Sequence, residues 1–239
     1  MKIVIDSEWN QLADFIGMLP DMIRRGEGET VYDERNRVVR FSHDGQVLMV
    51  KRFKRVNFIQ QIVYTFFRKT KAERAFLFAE EFRKRGVDTP QRVAYIEERR
   101  WGLFTVGYFV SSEAKGTETH LLLREVQDFS RELADAVVGQ VVFMHSRGVL
   151  HGDLNLSNFL ASDEPDGYHF TMIDINRSHF CESWPSDEQC LKNMVRLTHR
   201  RDLYEYLLRG YARQRGWDED ATADQALRLL SSFENHRHL

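Results

Sequence analysis

The sequence predicts an α+β fold with two lobes, a β-rich lobe followed by a mostly α-helical one. Strand candidates separated by turn residues are concentrated before residue 110, and apolar residues recur at helical spacing in most of the chain after residue 119. Only four prolines occur in 239 residues. Internal repeats and Pro/Ser-rich linkers are absent, which argues against a string of loosely joined domains.

We expect residues 1–28 to form an N-terminal extension, residues 29–110 the first lobe and residues 111–239 the second. The extension is predicted to hold a short strand, a helix around Glu8 to Leu19 and a glycine-bearing turn. An antiparallel sheet of five strands, with a helix inserted after the third, is expected in the first lobe. The five strands are Thr30 to Asp33, Arg37 to Ser42, Val47 to Phe53, Arg92 to Glu97 and Gly102 to Val110.

Helical patterns follow the third strand and fill the second lobe. Val56 to Lys69 carries apolar residues at helical spacing, and Thr70 with Glu73 matches a capping box that opens a second helix ending at Gly86. In the second lobe a long amphipathic helix leads into Gly148, and residues 190–213 and 222–233 are also helical in pattern.

The most informative segment is the loop His151-Gly152-Asp153-Leu154-Asn155-Leu156-Ser157-Asn158. Asp153 precedes Asn158 by five residues, and Asp174 follows sixteen residues later, after a strand-like segment. This layout suits phosphoryl transfer from ATP: one Asp orients and deprotonates an acceptor hydroxyl, while the Asn and the second Asp hold Mg²⁺. Taken singly, each residue has a plainer explanation, namely a turn Asp, a capping Asn and a loop acid. Their joint spacing favours the catalytic interpretation.

Lys51 is the candidate for the nucleotide phosphates, and His151 is expected to be a structural residue beneath the loop. In the third strand, period two places Lys51 on one face with Val47, Met49 and Phe53. An ammonium group among apolar neighbours is suited to reach ATP.

The loop H-G-D-L-x-x-x-N with its downstream Asp resembles the protein-kinase-like superfamily. The wider stretches Lys71–Phe76, Gly86–Pro90 and Ile173–Arg177 resemble its lipopolysaccharide kinase (Kdo/WaaP-type) branch. The resemblance covers most of the chain and implies a bilobal protein-kinase-like fold. It also implies ATP-dependent phosphorylation of an inner-core sugar, heptose or Kdo, on the cytoplasmic side of a Gram-negative inner membrane. By motif position it assigns Lys51 to the phosphates, Asp153 to base catalysis, Asn158 and Asp174 to magnesium, and Phe109 to Ser111 to the hinge beside adenine.

Three features depart from the superfamily pattern. The turn between the first two strands, residues 33–37, lacks a G-x-G-x-x-G, so Arg35 or Arg37 is expected to supply charge there. The magnesium motif is Asp174-Ile175-Asn176 in place of D-F-G. Ala75 occupies the position where a Glu should pair with Lys51, which leaves Glu73 or Glu80, with Glu80 favoured. A non-catalytic, pseudokinase-like protein therefore remains an alternative.

Composition restricts the other classes of function. Net charge is −2 and the isoelectric point is near 6.5, which argues against a nucleic-acid partner. Two unpaired cysteines indicate a reducing compartment, and neither a signal peptide nor a membrane-spanning segment is predicted. We expect a cytoplasmic protein, with any membrane association peripheral.

A strongly basic segment runs from Lys51 to Arg85, with eleven Lys or Arg against three Glu. Together with the apolar stripe from Ile59 to Phe67, it suits an anionic membrane surface or a phosphorylated glycolipid. The alternative is a helix that packs its stripe on the sheet and solvates its charges. No sequence pattern identifies the acceptor pocket, so a small-molecule or protein hydroxyl kinase is also an alternative. The sequence does not specify the sugar, the phosphorylated position or the oligomeric state.

Overall fold

The computed structural model describes residues 1–34 and 36–235, which form two compact units. The first unit comprises Met1–Glu81 and Pro90–Ala114, and the second comprises Phe82–Thr89 with the chain from Lys115 onward. Helix α3, introduced below, runs from the first unit into the second.

The first unit contains a six-stranded antiparallel sheet. Its strands are β1 (Lys2–Ile5), β2 (Glu29–Asp33), β3 (Arg37–His43), β4 (Gln46–Arg52), β5 (Arg92–Arg100) and β6 (Leu103–Ser112), in the spatial order β1-β5-β6-β4-β3-β2. The five strands predicted from the sequence are present. The sixth is β1, which pairs with β5 so that Ile3 lies opposite Ile96. This pairing satisfies backbone groups that β5 would otherwise leave unpaired at the sheet edge.

The N-terminal residues also cover one face of this sheet. Asp6 caps a 3₁₀ turn (Ser7–Leu12), which continues into α1 (Ala13–Arg25). Helix α1 ends at Gly26, whose φ of 81° is the left-handed conformation that glycine adopts without strain. Four of its buried side chains belong to one apolar cluster with the sheet residues Leu48 and Val50: Phe15, Ile16, Leu19 and Ile23. Residues 1–28 thus supply both a strand and a covering helix to the first unit.

Helix α3 (Lys71–Lys84) packs on the opposite face through its first turns. Ala72 and Phe76 cluster with Phe53 and Tyr95. A methyl group at Gly107 would lie 3.0 Å from the Cβ of Ala72, so glycine permits this close approach. Thr70 Oγ1 accepts a hydrogen bond from Glu73 N at 3.1 Å, as the predicted helix start requires.

Between β4 and α3 lies the short helix α2 (Phe58–Phe66), which begins at the cap residue Asn57. It is shorter than the predicted segment from Val56 to Lys69. None of its residues is buried. In its apolar stripe Ile62 and Val63 are half-buried, whereas Ile59, Phe66 and the following Phe67 are exposed, so only part of the stripe packs on the sheet.

The second unit is mostly helical. Its helices are α4 (Thr119–Leu123), α5 (Arg131–Ser146), α6 (Asp187–Met194), α7 (Arg201–Arg215) and α8 (Glu219–Asn235). Helix α5 packs against α7, and α7 packs against α8. Its short strands are β7 (Thr117–Glu118), β9 (Phe159–Glu164) and β10 (Gly167–Met172) in one sheet, and β8 (Val149–Leu150) with β11 (His179–Phe180) in another. Within residues 1–34 and 36–235, no helix has the length and apolar character needed to cross a bilayer.

Candidate active site

His151 anchors the candidate catalytic loop from beneath. It follows β8, it is fully buried, and its Nε2 lies 2.9 Å from the carbonyl oxygen of Ile173. Burial lowers the pKa of the imidazole, so the ring is neutral near pH 7 and Nε2 donates to that carbonyl. This hydrogen bond ties the start of the loop to the end of the β10 segment, the structural role expected from the sequence.

The residue before Asp153 is a glycine that the fold requires. Gly152 has a φ of 72°, and a methyl group there would lie 2.2 Å from the carbonyl oxygen of Arg177. Two guanidinium groups then hold the Asp153 carboxylate: Arg196 Nη1 donates to Oδ1 at 2.6 Å and Arg177 Nη1 donates to Oδ2 at 3.2 Å. The aspartate side chain is 25% exposed, so it is held in place while still open to solvent.

These two arginines were not assigned by the sequence analysis. Arg177 lies in the stretch Ile173–Arg177 that carries the family resemblance, and this stretch was the only hint of its importance. Arg196 is 43 residues from Asp153 along the chain. No local pattern connects it with the loop.

Asn158 ends the 3₁₀ turn Leu156–Asn158. The capping side chain of that turn is Asn155, whose Oδ1 accepts from Ser157 N at 3.1 Å. The side chain of Asn158 instead donates from Nδ2 to the Asp153 carbonyl oxygen at 2.8 Å. With Nδ2 committed to the backbone, the side-chain oxygen is the atom left to bind a cation, and the plain explanation of Asn158 as a cap does not hold.

Asp174 is connected to the same loop. Ile173 N donates to the carbonyl oxygen of Asn158 at 3.0 Å, and Asn176 Nδ2 donates to Asp174 Oδ1 at 2.6 Å. Asp174 has a φ of 55° and a ψ of 41°, a left-handed conformation that is uncommon outside glycine. Such backbone strain persists where surrounding bonds over-determine it, and it is concentrated at functional sites.

Hydrogen bonds thus link Asp153 to Asn158, and Asn158 to Ile173, the residue immediately before Asp174, within the second unit. The side-chain oxygen of Asn158 and the carboxylate of Asp174 are hard oxygen donors. Mg²⁺ takes one or two protein ligands of this kind and fills its other positions with waters and phosphate oxygens. The chemistry of this pair of donors fits magnesium.

Lys51 lies in the first unit, on β4. Met49 and Lys51 are half-buried and alternate with the fully buried Leu48 and Val50, so the predicted period-two arrangement is present. Lys51 Nζ lies 5.7 Å from the centre of the Phe53 ring. Its grouping with the three residues of the second unit stays a prediction.

The structure gives contacts for two of the expected partner residues, and a third lies outside the described residues. Glu80 accepts from Arg92 Nη1 at 2.5 Å, and the pairing of Lys51 with Glu80 or Glu73 stays a prediction. Arg37 donates to Thr30 Oγ1 at 2.9 Å, whereas Arg35 lies outside the described residues. Phe109 to Ser111 form part of β6, where Phe109 pairs with Lys51.

Comparisons with known proteins show which proteins this chain resembles. No curated protein sequence matches the chain. A solved structure of WaaP in complex with acyl carrier protein is similar with a TM-score of 0.63 and 21% identity, over 99% of this chain and 98% of that one. A structure of the Rio2 kinase from Chaetomium thermophilum, in an ADP/Mg²⁺-phosphoaspartate complex, aligns with a TM-score of 0.49 and 12% identity, over 92% and 76% of the two chains.

The likeness to WaaP concerns the fold, and the predicted α+β, protein-kinase-like fold class is confirmed. The match of a family model extends this to the sequence, because it covers strands β2 to β6 of the first unit and the candidate catalytic loop. The model of the lipopolysaccharide kinase (Kdo/WaaP) family matches residues 23–231, and the chain belongs to this family of kinases.

Proposed function

We propose that the protein transfers the γ-phosphoryl group of Mg-ATP to a hydroxyl of a heptose or Kdo sugar in the inner core of lipopolysaccharide. Family membership makes the chain a phosphotransferase of the lipopolysaccharide kinase class. Family membership does not specify the metal ion, the nucleotide or the sugar acceptor, and these are what we propose. The observation that carries it is the pair of hydrogen bonds that links Asp153 to Asn158 and Asn158 to Ile173, which directly precedes Asp174.

Each residue then has a defined task. The Asp153 carboxylate orients the acceptor hydroxyl and accepts its proton as the new oxygen–phosphorus bond forms and the bond to ADP breaks. Asn158 and Asp174 hold magnesium, which neutralises phosphate charge when bound. Lys51 supplies a cation to the nucleotide phosphates.

The two arginines on Asp153 fit this scheme as positioning residues. A carboxylate that must meet one hydroxyl loses rate if it rotates, since misplacement by about 1 Å can cost about a hundredfold. Charge-assisted hydrogen bonds from Arg177 and Arg196 restrict that rotation. Because the acceptor is a glycolipid in this proposal, the enzyme would act peripherally at the inner face of the inner membrane.

The test is a phosphorylation assay with labelled ATP, Mg²⁺ and purified protein. Glycolipid extracted from a strain lacking core phosphate is compared with a panel of soluble proteins and aminoglycosides. We expect label on the core oligosaccharide, and its position is then read by mass spectrometry after acid hydrolysis. Label on soluble acceptors alone would establish a different hydroxyl kinase, and no label with nucleotide still bound would establish a pseudokinase-like protein.

A further inference from the structure

A cluster of large apolar side chains lies exposed on the first unit, and we refer to it as the docking face. Four belong to or follow α2 and the fifth is at the tip of the β5–β6 hairpin. The docking face consists of Phe58, Ile59, Phe66, Phe67 and Trp101, exposed by 65%, 73%, 68%, 78% and 88%. Exposed apolar patches of this kind mark interaction surfaces.

Helix α2 exposes these residues because its other side is fastened to the sheet. Thr65 Oγ1 accepts a hydrogen bond from Phe104 N at 2.9 Å, and the Tyr64 ring meets the Phe104 ring edge-on at 5.8 Å. Asn57 Oδ1 caps the helix by accepting from Gln60 N at 2.9 Å. The orientation of the helix is therefore set by polar and aromatic contacts that leave the phenylalanines outside.

The Trp101 side chain is exposed to solvent, and its backbone adopts an unfavourable conformation. It has a φ of 50° and Gly102 has a φ of 80°, the two positive values of a type I′ turn, where Asn-Gly is preferred. A bulky residue in this conformation is strained. Because the indole is almost fully exposed and lies against the guanidinium of Arg100, 4.5 Å from its centre, burial in a core does not explain its presence.

The hairpin tip and α2 lie at the same end of the sheet. Phe104, whose backbone N donates to Thr65 of α2, is the second residue of β6 and lies three residues after Trp101 in the chain. The aromatic residues of the helix and of the hairpin therefore border one surface.

The charged residues that flank α2 all have one sign. Lys54, Arg55, Arg68 and Lys69 are exposed, and within the described part of the chain no ion pair to a carboxylate involves any of them. No Asp or Glu occurs between Lys51 and Ala72. Elsewhere the surface arginines are commonly paired, as Arg40 is with Glu113 and Arg213 with Glu219.

We propose that the docking face seats the protein on an anionic phospholipid bilayer. Aromatic side chains favour the headgroup level of a membrane, and each Lys or Arg near an anionic surface adds attraction. The docking face has two short apolar anchors, α2 and the tip of the β5–β6 hairpin, and cations flank the helix. This combination suits a flat lipid surface. The inference deepens the proposed function, because an acceptor embedded in a membrane requires an enzyme that stays at that surface.

The test is co-sedimentation with vesicles in the absence of nucleotide. Vesicles of phosphatidylcholine alone are compared with vesicles that contain phosphatidylglycerol, at low and at 0.5 M salt. Wild type should bind the anionic vesicles, and salt should release it because exposed charges are screened. The double variant Arg68→Glu/Lys69→Glu should bind at least about tenfold more weakly, and Phe66→Ser/Phe67→Ser and Trp101→Ser should also weaken binding.

Two matched controls carry equivalent changes away from the docking face. Arg228→Glu/Lys192→Glu makes the same change in net charge, and Val31→Ser removes another exposed apolar residue. Both should bind as wild type does. Circular dichroism and urea unfolding are used to check that every variant is folded.

Kinase assays separate this inference from the proposed function. The docking variants should phosphorylate deacylated core oligosaccharide at the wild-type rate and lose activity on glycolipid in vesicles. Wild type that ignores anionic vesicles, or docking variants that bind like the controls, would overturn the inference and leave the kinase proposal standing. Binding to an acidic soluble protein with none to vesicles would also overturn it.

Discussion

Arg196 Nη1 donates a hydrogen bond to Asp153 Oδ1 at 2.6 Å, while Arg177 takes the other carboxylate oxygen. The Arg196 guanidinium also lies 5.0 Å from the centre of the Phe233 ring, so its own position is restrained. The residue that we propose as catalytic base is thus held by a residue that is distant in sequence. We therefore expect Arg196 to affect catalysis through Asp153.

Replacement of Arg196 should slow the chemical step. Arg196→Gln removes the charge on Asp153 Oδ1, and we expect kcat to fall about 10- to 100-fold while KM for ATP changes little. Arg196→Lys should recover part of the loss, because a cation remains but the planar fork does not. Arg228→Gln, on an exposed face of α8, serves as the control. A raised KM for ATP with unchanged kcat would contradict the positioning role.

Replacement of Asp153 should abolish most turnover and leave the fold intact. Loss of a general base costs about 10² to 10⁴ in kcat, so Asp153→Asn should fall in that range in a labelled-ATP assay. Asp163→Asn, at an exposed position of β9, is the matched control. If Asp153→Asn keeps more than a tenth of wild-type turnover, Asp153 is not the base.

Replacement of Asp174 should uncouple nucleotide binding from magnesium. With a fluorescent ATP analogue, wild type should bind more tightly as Mg²⁺ is added, whereas Asp174→Asn should show little dependence, because one of two protein ligands has lost its charge. The control is Glu164→Gln, in the exposed group Glu164, Asp166 and His169 at the β9–β10 turn. Equal magnesium dependence in wild type and Asp174→Asn would remove Asp174 from the metal site.

Two neighbouring residues of α1 test whether the N-terminal segment is part of the first-unit core. Leu19 is fully buried against the sheet and Met18 is 50% exposed. Urea unfolding should show a loss of about 2–5 kcal/mol for Leu19→Ala and of less than about 0.5 kcal/mol for Met18→Ala. Similar small losses for both would mean that α1 is an appendage.

Acid should destabilise the second unit through His145. This residue is buried, lies 2.8 Å from the Tyr211 hydroxyl and 3.1 Å from Asn193 Oδ1, and faces the charge of Arg215. Burial lowers its pKa to about 4. In the unfolded chain the imidazole has its ordinary pKa near 6.5.

The sign of the pH dependence follows from these two values. Between about pH 6.5 and pH 4 the unfolded chain binds the proton and the folded chain does not, so stability falls as pH falls, by about 2 kcal/mol at pH 5. His145→Asn should reduce the slope of unfolding free energy against pH in this window, and the part that remains is expected from the buried His151, whose pKa is also lowered. His169→Asn, at an exposed turn, should retain the wild-type slope. A slope unchanged in His145→Asn would contradict the assignment.

Local sequence patterns were sufficient to predict many of the secondary-structure elements and the candidate catalytic loop. The five strands β2 to β6, the start of α3 after Thr70 and the alternation around Lys51 follow from turn residues, a cap and period two, all of which act over a few residues. The loop from His151 to Asn158 and the strand-end Asp174 were recognisable for the same reason: phosphoryl transfer needs these residue types at short, fixed spacings. The family assignment was also made from these residues.

Only the tertiary structure decided which distant residues meet. The pairing of β1 with β5, the approach of Arg196 to Asp153 and the exposure of Phe66 and Phe67 depend on contacts between segments tens of residues apart. An amphipathic stripe looks the same in sequence whether it meets a sheet or solvent, because periodicity records a face and not its partner. By itself the sequence determined the elements and the chemistry of the loop, whereas long-range packing and hydrogen bonding determined what holds that chemistry in place.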